Sequence, residues 1–282
     1  MAVQVLALAL ALVALVFADQ AFVGLNDNKT NLVLQPPAGG QVVVDGVAFR
    51  SLVETLDKLE TQVGTLATQL AGQQCVTVAD TTTITGLTSS NKWNGGVLAG
   101  NGKIYGFPLG STSVLIIDPA INTADATTIS GLLGVWAGGV LAGNGKIYGI
   151  PHNSAAVLII DPATDTADVT TITGLNGNAK WHRGVLADNG KIYGIPHLSD
   201  SVLIIDPVTN TADVTTITGL TSDTGKWVGG VLAGNGKIYG IPHTSESVLI
   251  IDTTTNKADT TTITGLTGSG KWVGGVLAGN GK

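Results

Sequence analysis

Apolar residues follow three patterns along the chain, and the first is an unbroken run from Val5 to Phe17. These 13 residues are too few for a helix that spans a bilayer, which needs about 20. Small residues at Val16 and Ala18 are typical of a cleavage site before Asp19. Residues 1–18 are therefore predicted to be a signal peptide, and the protein is predicted to be secreted or held at the cell surface. An uncleaved membrane anchor is the alternative interpretation.

The second pattern has the spacing of a helix. Residues 19–46 contain Pro36-Pro37 and Gly39-Gly40, which break a continuous helix and predict an irregular polar linker. From there apolar side chains recur at spacings of 3, 4, 3, 4, 3 and 4, at Phe49, Leu52, Leu56, Leu59, Val63, Leu66 and Leu70. This heptad pattern predicts an amphipathic helix over residues 47–72. The helix either forms a coiled coil that joins copies of the chain through residues 49–70 or packs on the domain that follows.

The third pattern is a repeat over residues 76–282. Its phase is marked by five tryptophans separated by 43, 45, 46 and 45 residues, namely Trp93, Trp136, Trp181, Trp227 and Trp272. A period in the forties without helical spacing is typical of the blades of a β-propeller or of a β-solenoid. One unit predicts four strands, at Trp227–Ala233, Lys237–Pro242, Ser247–Asp252 and Ala258–Thr264. The Asn235-Gly236 pair between the first two predicts a type I′ turn.

The residue types change from strand to strand in a way that selects the architecture. The first strand contains Gly229-Gly230, the third is apolar on both faces, and the fourth is rich in threonine. Small residues inside and polar residues outside predict an all-β fold, a β-propeller of four-stranded blades of about 45 residues, preceded by a short helix. We expect four complete blades, with partial units at both ends of the repeats, among them an orphan strand over 78–85. The ring is then incomplete or closes through its two ends.

The segment GGVLAGNGKIYGIPHTSESVLIID at residues 229–252 resembles the YVTN and Kelch-like propeller repeats of cell-surface proteins. The resemblance lies in the Asn-Gly turn before Lys-Ile-Tyr and in the Val-Leu-Ile-Ile-Asp strand with its threonine-rich sequel. It extends over about residues 79–282 and implies a propeller fold. It implies no single activity, because propellers host many functions.

Composition narrows the partners. The net charge is −6 and the 14 basic residues are dispersed, so nucleic acid is not expected to bind. The single cysteine, Cys75, cannot form an internal disulfide and is a candidate for a disulfide between chains. Asn28 begins an Asn-Lys-Thr acceptor pattern for glycosylation.

Two sets of repeated side chains are candidates for ligand binding. His152, His197 and His243 occupy the same place in three successive units. Equivalent positions in neighbouring blades are expected about 10 Å apart, so no shared metal is predicted, and these residues either stabilise loops or contact a ligand. The second set is Trp93, Trp136, Trp181 and Trp227, which either stack on sugars or fill the core between blades.

Other motifs give weaker signals. Asp161, Asp165 and Asp168 are spaced as in some calcium loops, although Asp and Pro at such places are also ordinary turn formers. No nucleophile motif is present, and His182-Arg183, which depart from the repeat, are interpreted as drift. The sequence thus predicts a non-catalytic extracellular scaffold or recognition module that binds protein or glycan and needs no cofactor. The alternatives are a lectin that uses Trp and His on one face and a propeller enzyme of the lyase or lactonase type.

Overall fold

A computed structural model describes residues 22–25, 32–35, 42–43, 58–59, 61–65, 82–87, 91–220, 225–279 and 281. The chain divides into two compact units, Met1–Ala79 and Asp80–Lys282. The predicted signal peptide, Asn28 and Cys75 lie outside the described residues, and the predictions made for them stay predictions. No helix within the described ranges is both long enough and apolar enough to span a membrane.

The first unit contains a small antiparallel sheet where the sequence predicted an irregular linker. Its strands are β1 (Phe22–Leu25), β2 (Leu32–Gln35) and β3 (Val42–Val43), paired in that order. Short apolar runs separated by Asn-rich and by Pro- and Gly-rich segments favour such hairpins. Residues 58–59 and 61–65 are helical, as the heptad pattern predicts. Leu59 and Val63 on the heptad seam are 50% and 61% exposed, and the oligomer prediction for residues 49–70 remains untested.

The second unit consists of four four-stranded antiparallel sheets, and each sheet is one repeat. In every sheet the strands are hydrogen-bonded in chain order. Blade 1 contains β4 (Trp93–Leu98), β5 (Ile104–Pro108), β6 (Leu115–Asp118) and β7 (Thr123–Asp125). Blade 2 contains β8 (Trp136–Leu141), β9 (Ile147–Pro151), β10 (Leu158–Asp161) and β11 (Thr166–Asp168). Blade 3 contains β12 (Trp181–Leu186), β13 (Ile192–Pro196), β14 (Leu203–Asp206) and β15 (Thr211–Asp213). Blade 4 contains β16 (Trp227–Leu232), β17 (Lys237–Pro242), β18 (Leu249–Asp252) and β19 (Lys257–Asp259).

The strand predictions are confirmed except at the fourth strand. That strand ends at the aspartate, at Asp259 in blade 4, and the threonines after it form bends. In blade 2, Asp168 accepts hydrogen bonds from the backbone N–H groups and the hydroxyls of Thr170 and Thr171. The carboxylate thus accepts from the threonine N–H groups in place of a neighbouring strand. The chain therefore turns away from the sheet after the aspartate. Of the predicted orphan strand over 78–85, residues 82–84 are likewise bends and residue 85 is not in a strand, while residues 78–81 lie outside the described residues.

The Asn-Gly turns also differ from the predicted type I′ geometry. In blade 1 the N–H of Gly102 donates to the carbonyl of Ala99 at 3.0 Å, and Ala99 pairs with Lys103. Only the glycine has a positive φ, of 81°, which is the pattern of a three-residue loop that ends in a glycine bulge. Asn101 stays outside the left-handed region because its side chain accepts from Lys103 N–H and donates to Tyr105 and to the carbonyl of Pro162.

Each blade is fastened to the next by a tyrosine. The hydroxyl of Tyr148 in β9 bonds Asn210 of blade 3 at 2.9 Å, and Tyr193 in β13 bonds Asn256 of blade 4 at 2.8 Å. In blade 1, Tyr105 makes the equivalent bond to Asp165. The accepting residues have φ between 50° and 52°, a left-handed conformation that Asn and Asp tolerate better than most residues. The Asn and Asp of these turns therefore serve both the turn and the contact between blades.

Three apolar clusters fill the spaces between neighbouring blades. Each contains the tryptophan of the later blade, which is Trp136, Trp181 or Trp227. The unalternating third strands contribute to the clusters on both of their sides, as the sequence predicted for strands buried between blades. The inner strands contact one another in the order β4, β8, β12 and β16. The region that these four strands border is called the hub below.

Candidate functional site at the hub

The inner strands carry a bulge where they face the hub. In blade 3, Trp181 pairs with Pro196 and Gly184 pairs with Gly194, so His182 and Arg183 stand opposite one residue of β13. The same irregularity occurs in the other three blades. Bulges turn side chains away from the ladder and are frequent beside functional sites.

The bulge of blade 3 differs from the others in its residues. The other blades place a glycine of φ 72–77° where blade 3 has Arg183, with φ of 62°. A non-glycine residue in this region is strained, at a cost of order 1–2 kcal/mol. Strain of this kind persists where the surrounding structure holds it, and it clusters at functional sites. The interpretation of His182 and Arg183 as drift stays untested, and the structure places both residues in the bulge of β12, with the His182 ring beside those of His152 and His197.

Arg183 extends across the hub. A Cβ atom built on Gly138 of blade 2 would lie 3.2 Å from its Cγ, and one built on Gly229 of blade 4 would lie 3.2 Å from its Cδ. The guanidinium Nη1 donates to the carbonyl of Val273 at 3.0 Å. The glycines of the neighbouring bulges thus provide the space in which this side chain lies.

Four histidines gather at the same place. Ring centres lie 5.6 Å apart for His152 and His197, 5.7 Å for His152 and His182, 5.9 Å for His182 and His197, and 6.4 Å for His197 and His243. The expected separation of about 10 Å between equivalent histidines is therefore wrong, and with it the reason for predicting no shared metal. Asn94 of blade 1 reaches His182 from across the hub, with its Nδ2 3.5 Å from Nε2.

A backbone chain explains why equivalent histidines become neighbours. The N–H of Lys180 donates to the carbonyl of His152 at 3.0 Å, and its carbonyl accepts from the N–H of His197 at 2.8 Å. Lys226 connects His197 to His243 in the same way. Each histidine loop therefore leans over the start of the next inner strand, where the blades are closest to the axis. The distance estimate from strand spacing did not include this lean.

Burial makes the imidazoles of His152, His182 and His197 poor bases. Burial is the main cause that lowers the pKa of His182 to about 4, and the neighbouring imidazoles and Arg183 lower it further. Burial is also the main cause that lowers the pKa values of His152 and His197. The Nδ1 atoms of His182, His197 and His243 are buried without a hydrogen-bond partner. At neutral pH the hub thus offers uncharged rings with unused nitrogen atoms.

Trp136, Trp181 and Trp227 lie in the core between blades, whereas Trp93 is only partly buried. The indole N–H groups of Trp93, Trp136, Trp181 and Trp227 each donate to a backbone carbonyl at 2.8 Å. Lysine ammonium groups lie 5.2–5.8 Å from the ring centres of Trp93, Trp181 and Trp227. A cavity of about 430 Å³ opens beside Trp181, but this side chain is only 3% exposed. Its ring faces are therefore covered, and stacking on a sugar would require that the blade rearrange.

The aspartates of the calcium-like pattern are occupied by protein contacts. Asp165 bonds Tyr105 and pairs with Lys103 at 2.7 Å. Asp161 accepts from the N–H of Ala163 at 3.0 Å, and Asp168 bonds two threonines. These contacts support the interpretation as turns.

Fold and hub together define the class of this protein, which is an all-β propeller with four blades. No protein-family model and no curated protein sequence matches the chain, and the resemblance to YVTN and Kelch-like repeats stays a prediction.

Solved structures with the same fold have low sequence identity to this chain. An inactive virginiamycin B lyase of Staphylococcus aureus with quinupristin has a TM-score of 0.51 and 8% identity, over 85% of this chain and 72% of that chain. The extracellular domain of a one-component system of Bacteroides thetaiotaomicron has a TM-score of 0.51 and 12% identity, over 94% of this chain and 32% of that one. The chain thus spans about a third of the latter protein. Because an enzyme and a sensor domain both share the fold, the similarity establishes architecture and no activity.

Proposed function

We propose that the propeller is a non-catalytic extracellular recognition module that binds a carboxylate-bearing glycan at the hub. The observation that carries this proposal is the place where the repeat is broken. The strands, turns and tyrosine contacts recur from blade to blade, whereas His182 and Arg183 occur in one blade and face the axis. A residue change that costs backbone strain at the centre of a repeated fold favours a binding site there.

The charges around the hub favour an acidic ligand. Arg183 lies across it, and the ammonium groups of Lys180 and Lys226 lie beneath the histidine loops, where they donate to the carbonyls of Ser154 and Ser199. Within the described part of the chain, no carboxylate is among the causes of the lowered pKa values of His152, His182 and His197. A ligand carboxylate would therefore meet donors and positive charge from these described residues.

A titration with two matched sugars tests the proposal. Glucuronate should bind the full-length protein with a dissociation constant of about 1 mM or tighter, and glucose, which lacks the carboxylate, should not. Arg183→Gly restores the glycine of the neighbouring blades and should weaken glucuronate binding about tenfold, a loss typical of one charge-assisted contact. Isothermal titration calorimetry measures both. Equal binding of glucose, an unaffected Arg183→Gly variant, or an acidic-glycan array without any bound spot would overturn the proposal.

The tryptophans provide a separate test against the lectin alternative. Trp227 is 2% exposed and Trp272 is 46% exposed. Trp227→Ala should lower the free energy of unfolding by about 3–5 kcal/mol, as expected for a large buried side chain, whereas Trp272→Ala should change it by less than about 1 kcal/mol. Urea denaturation followed by circular dichroism measures both values. A stable Trp227→Ala protein that has lost glycan binding would instead support the lectin alternative, in which tryptophan rings contact the sugar directly.

A further inference from the structure

The rings of His152, His182 and His197 form a nearly equilateral triangle. Their centres are 5.6, 5.7 and 5.9 Å apart. Dividing the middle value of 5.7 Å by √3 places the common centre about 3.3 Å from each ring centre. The three side chains come from two blades, and one of them, His182, lies in the bulge of β12.

This distance is the one that a metal ion requires. A zinc–nitrogen bond of about 2.1 Å and about 1.2 Å from the nitrogen to the ring centre also sum to about 3.3 Å. With the side chains in their present orientations, no group of three or more His, Cys, Asp or Glu in the described part of the chain could hold a metal ion. Nδ1 of His152, for example, lies 3.2 Å from the carbonyl of Trp181, so metal binding would require this imidazole to rotate. Rotation of an imidazole about χ2 has a broad and shallow energy profile.

The unused nitrogens supply the second observation. The Nδ1 atoms of His182 and His197 are buried without a partner, and such a group costs about 1–3 kcal/mol. A bound cation would remove this cost by accepting the lone pair.

We propose that His152, His182 and His197 bind one divalent transition-metal ion of borderline softness, such as Zn²⁺, Ni²⁺ or Cu²⁺. Three imidazoles leave a fourth position open for water or a ligand group. The site extends the proposed binding hub, since an open position can accept the carboxylate of a bound molecule. Arg183 and the two lysines oppose a dication, so we expect a dissociation constant of about 1 μM, weaker than in structural zinc sites.

His243 provides a matched control within the same cluster. Its ring centre is 6.4 Å from that of His197, and it contacts neither of the other two rings. Gly225 lies between the two, since a Cβ atom there would be 3.3 Å from His197 Nε2 and 3.4 Å from His243 Nδ1. Like His182 and His197, His243 thus has a buried Nδ1 atom without a hydrogen-bond partner, but its ring stands outside the triangle.

The test uses untagged full-length protein freed of metal with a chelator, then titrated with Zn²⁺ by calorimetry and with Cu²⁺ by electron paramagnetic resonance. We expect one equivalent to bind and the Cu²⁺ spectrum to show coupling to imidazole nitrogen. His182→Asn and His197→Asn should each weaken binding at least about tenfold. His243→Asn and Cys75→Ser should change it less than about twofold.

The possible results separate the two proposals. Three results would overturn the metal site. The first is no binding at 1 mM metal, which is about a thousandfold above the expected dissociation constant. The others are binding that His182→Asn and His197→Asn leave unchanged, and binding that is lost in Cys75→Ser. If the histidine variants fail to fold, the nitrogen coupling in the wild-type spectrum decides alone. Metal is titrated without any sugar, so glucuronate binding can fail while the metal site is confirmed, and the reverse.

Discussion

Single residues distinguish one blade of this repeat protein from the others. The bulge glycines of blades 1, 2 and 4 recur because the backbone there has positive φ, and Arg183 breaks the rule at the cost of strain. Its neighbour His182 occupies a position where blades 1, 2 and 4 carry Asn94, Ala137 and Val228. The departure from the repeat was visible in the sequence. The sequence did not show what this departure means, because a residue change in one repeat does not indicate a function until its position is known to face the axis.

At the residue scale, the buried histidines make stability depend on pH. The folded-state pKa of His182 is about 4, below its ordinary value of 6.5, so the unfolded chain binds more protons between these values. Stability is fully present above about pH 6.5 and is lost as the pH falls towards 4, by on the order of 2 kcal/mol for this residue. Urea unfolding between pH 7 and 4.5 should show the loss, and His182→Asn, which copies blade 1, should flatten it. Parallel pH profiles for wild type and variant would contradict the assigned burial of this ring.

At the scale of strands and turns, an element is predictable from its own sequence when the interactions that form it lie within that short segment. The second strands match their predicted bounds because alternating apolar residues and a fixed Asn-Gly turn set the register. The fourth strands were predicted too long, since propensity favours threonine in strands whereas Asp168 and its counterparts capture the threonine N–H groups. Side-chain competition for backbone donors is not visible in propensity alone.

The tyrosine contacts give a prediction with an internal control. The hydroxyl of Tyr148 donates to Asn210 of the next blade, whereas the hydroxyl of Tyr239 accepts from Asn235 of its own blade. Tyr148→Phe should lower the free energy of unfolding by about 1–1.5 kcal/mol, because it leaves buried polar atoms unpaired. Tyr239→Phe should cost less than about 0.5 kcal/mol. Equal losses in the two variants, measured by chemical denaturation, would show that the contact between blades is not what the hydroxyl contributes.

For the whole propeller, stability follows from how each blade is covered. Each blade buries its faces against neighbours in the manner of a repeat protein, so protection depends on position along the array. Strand β8 is buried along its first half, whereas the corresponding part of β4 is partly exposed. Residues 272–279 lack strand pairing, and a cavity of about 580 Å³ separates part of them from β16 and β17.

This difference in burial predicts an order of hydrogen exchange. Amides of β8 and β12 should exchange about tenfold or more slowly than those of β4, and residues 272–279 should exchange fastest. Mass spectrometry of peptic peptides from the full-length protein resolves these segments. Uniform protection across all four inner strands would instead mean that the blades open only as one cooperative unit.

The sequence by itself determined the period, the number of blades, the strand order and the apolar residues that fill the spaces between blades. These properties are repeated and local, since turn residues and alternation act over a few positions and recur in each unit. The tertiary structure alone decided that side chains from different blades meet at the hub. His152, His182 and His197 are separated by 30 and 15 residues, and no local pattern connects them. Only the lean of the histidine loops over the next inner strands brings their rings together.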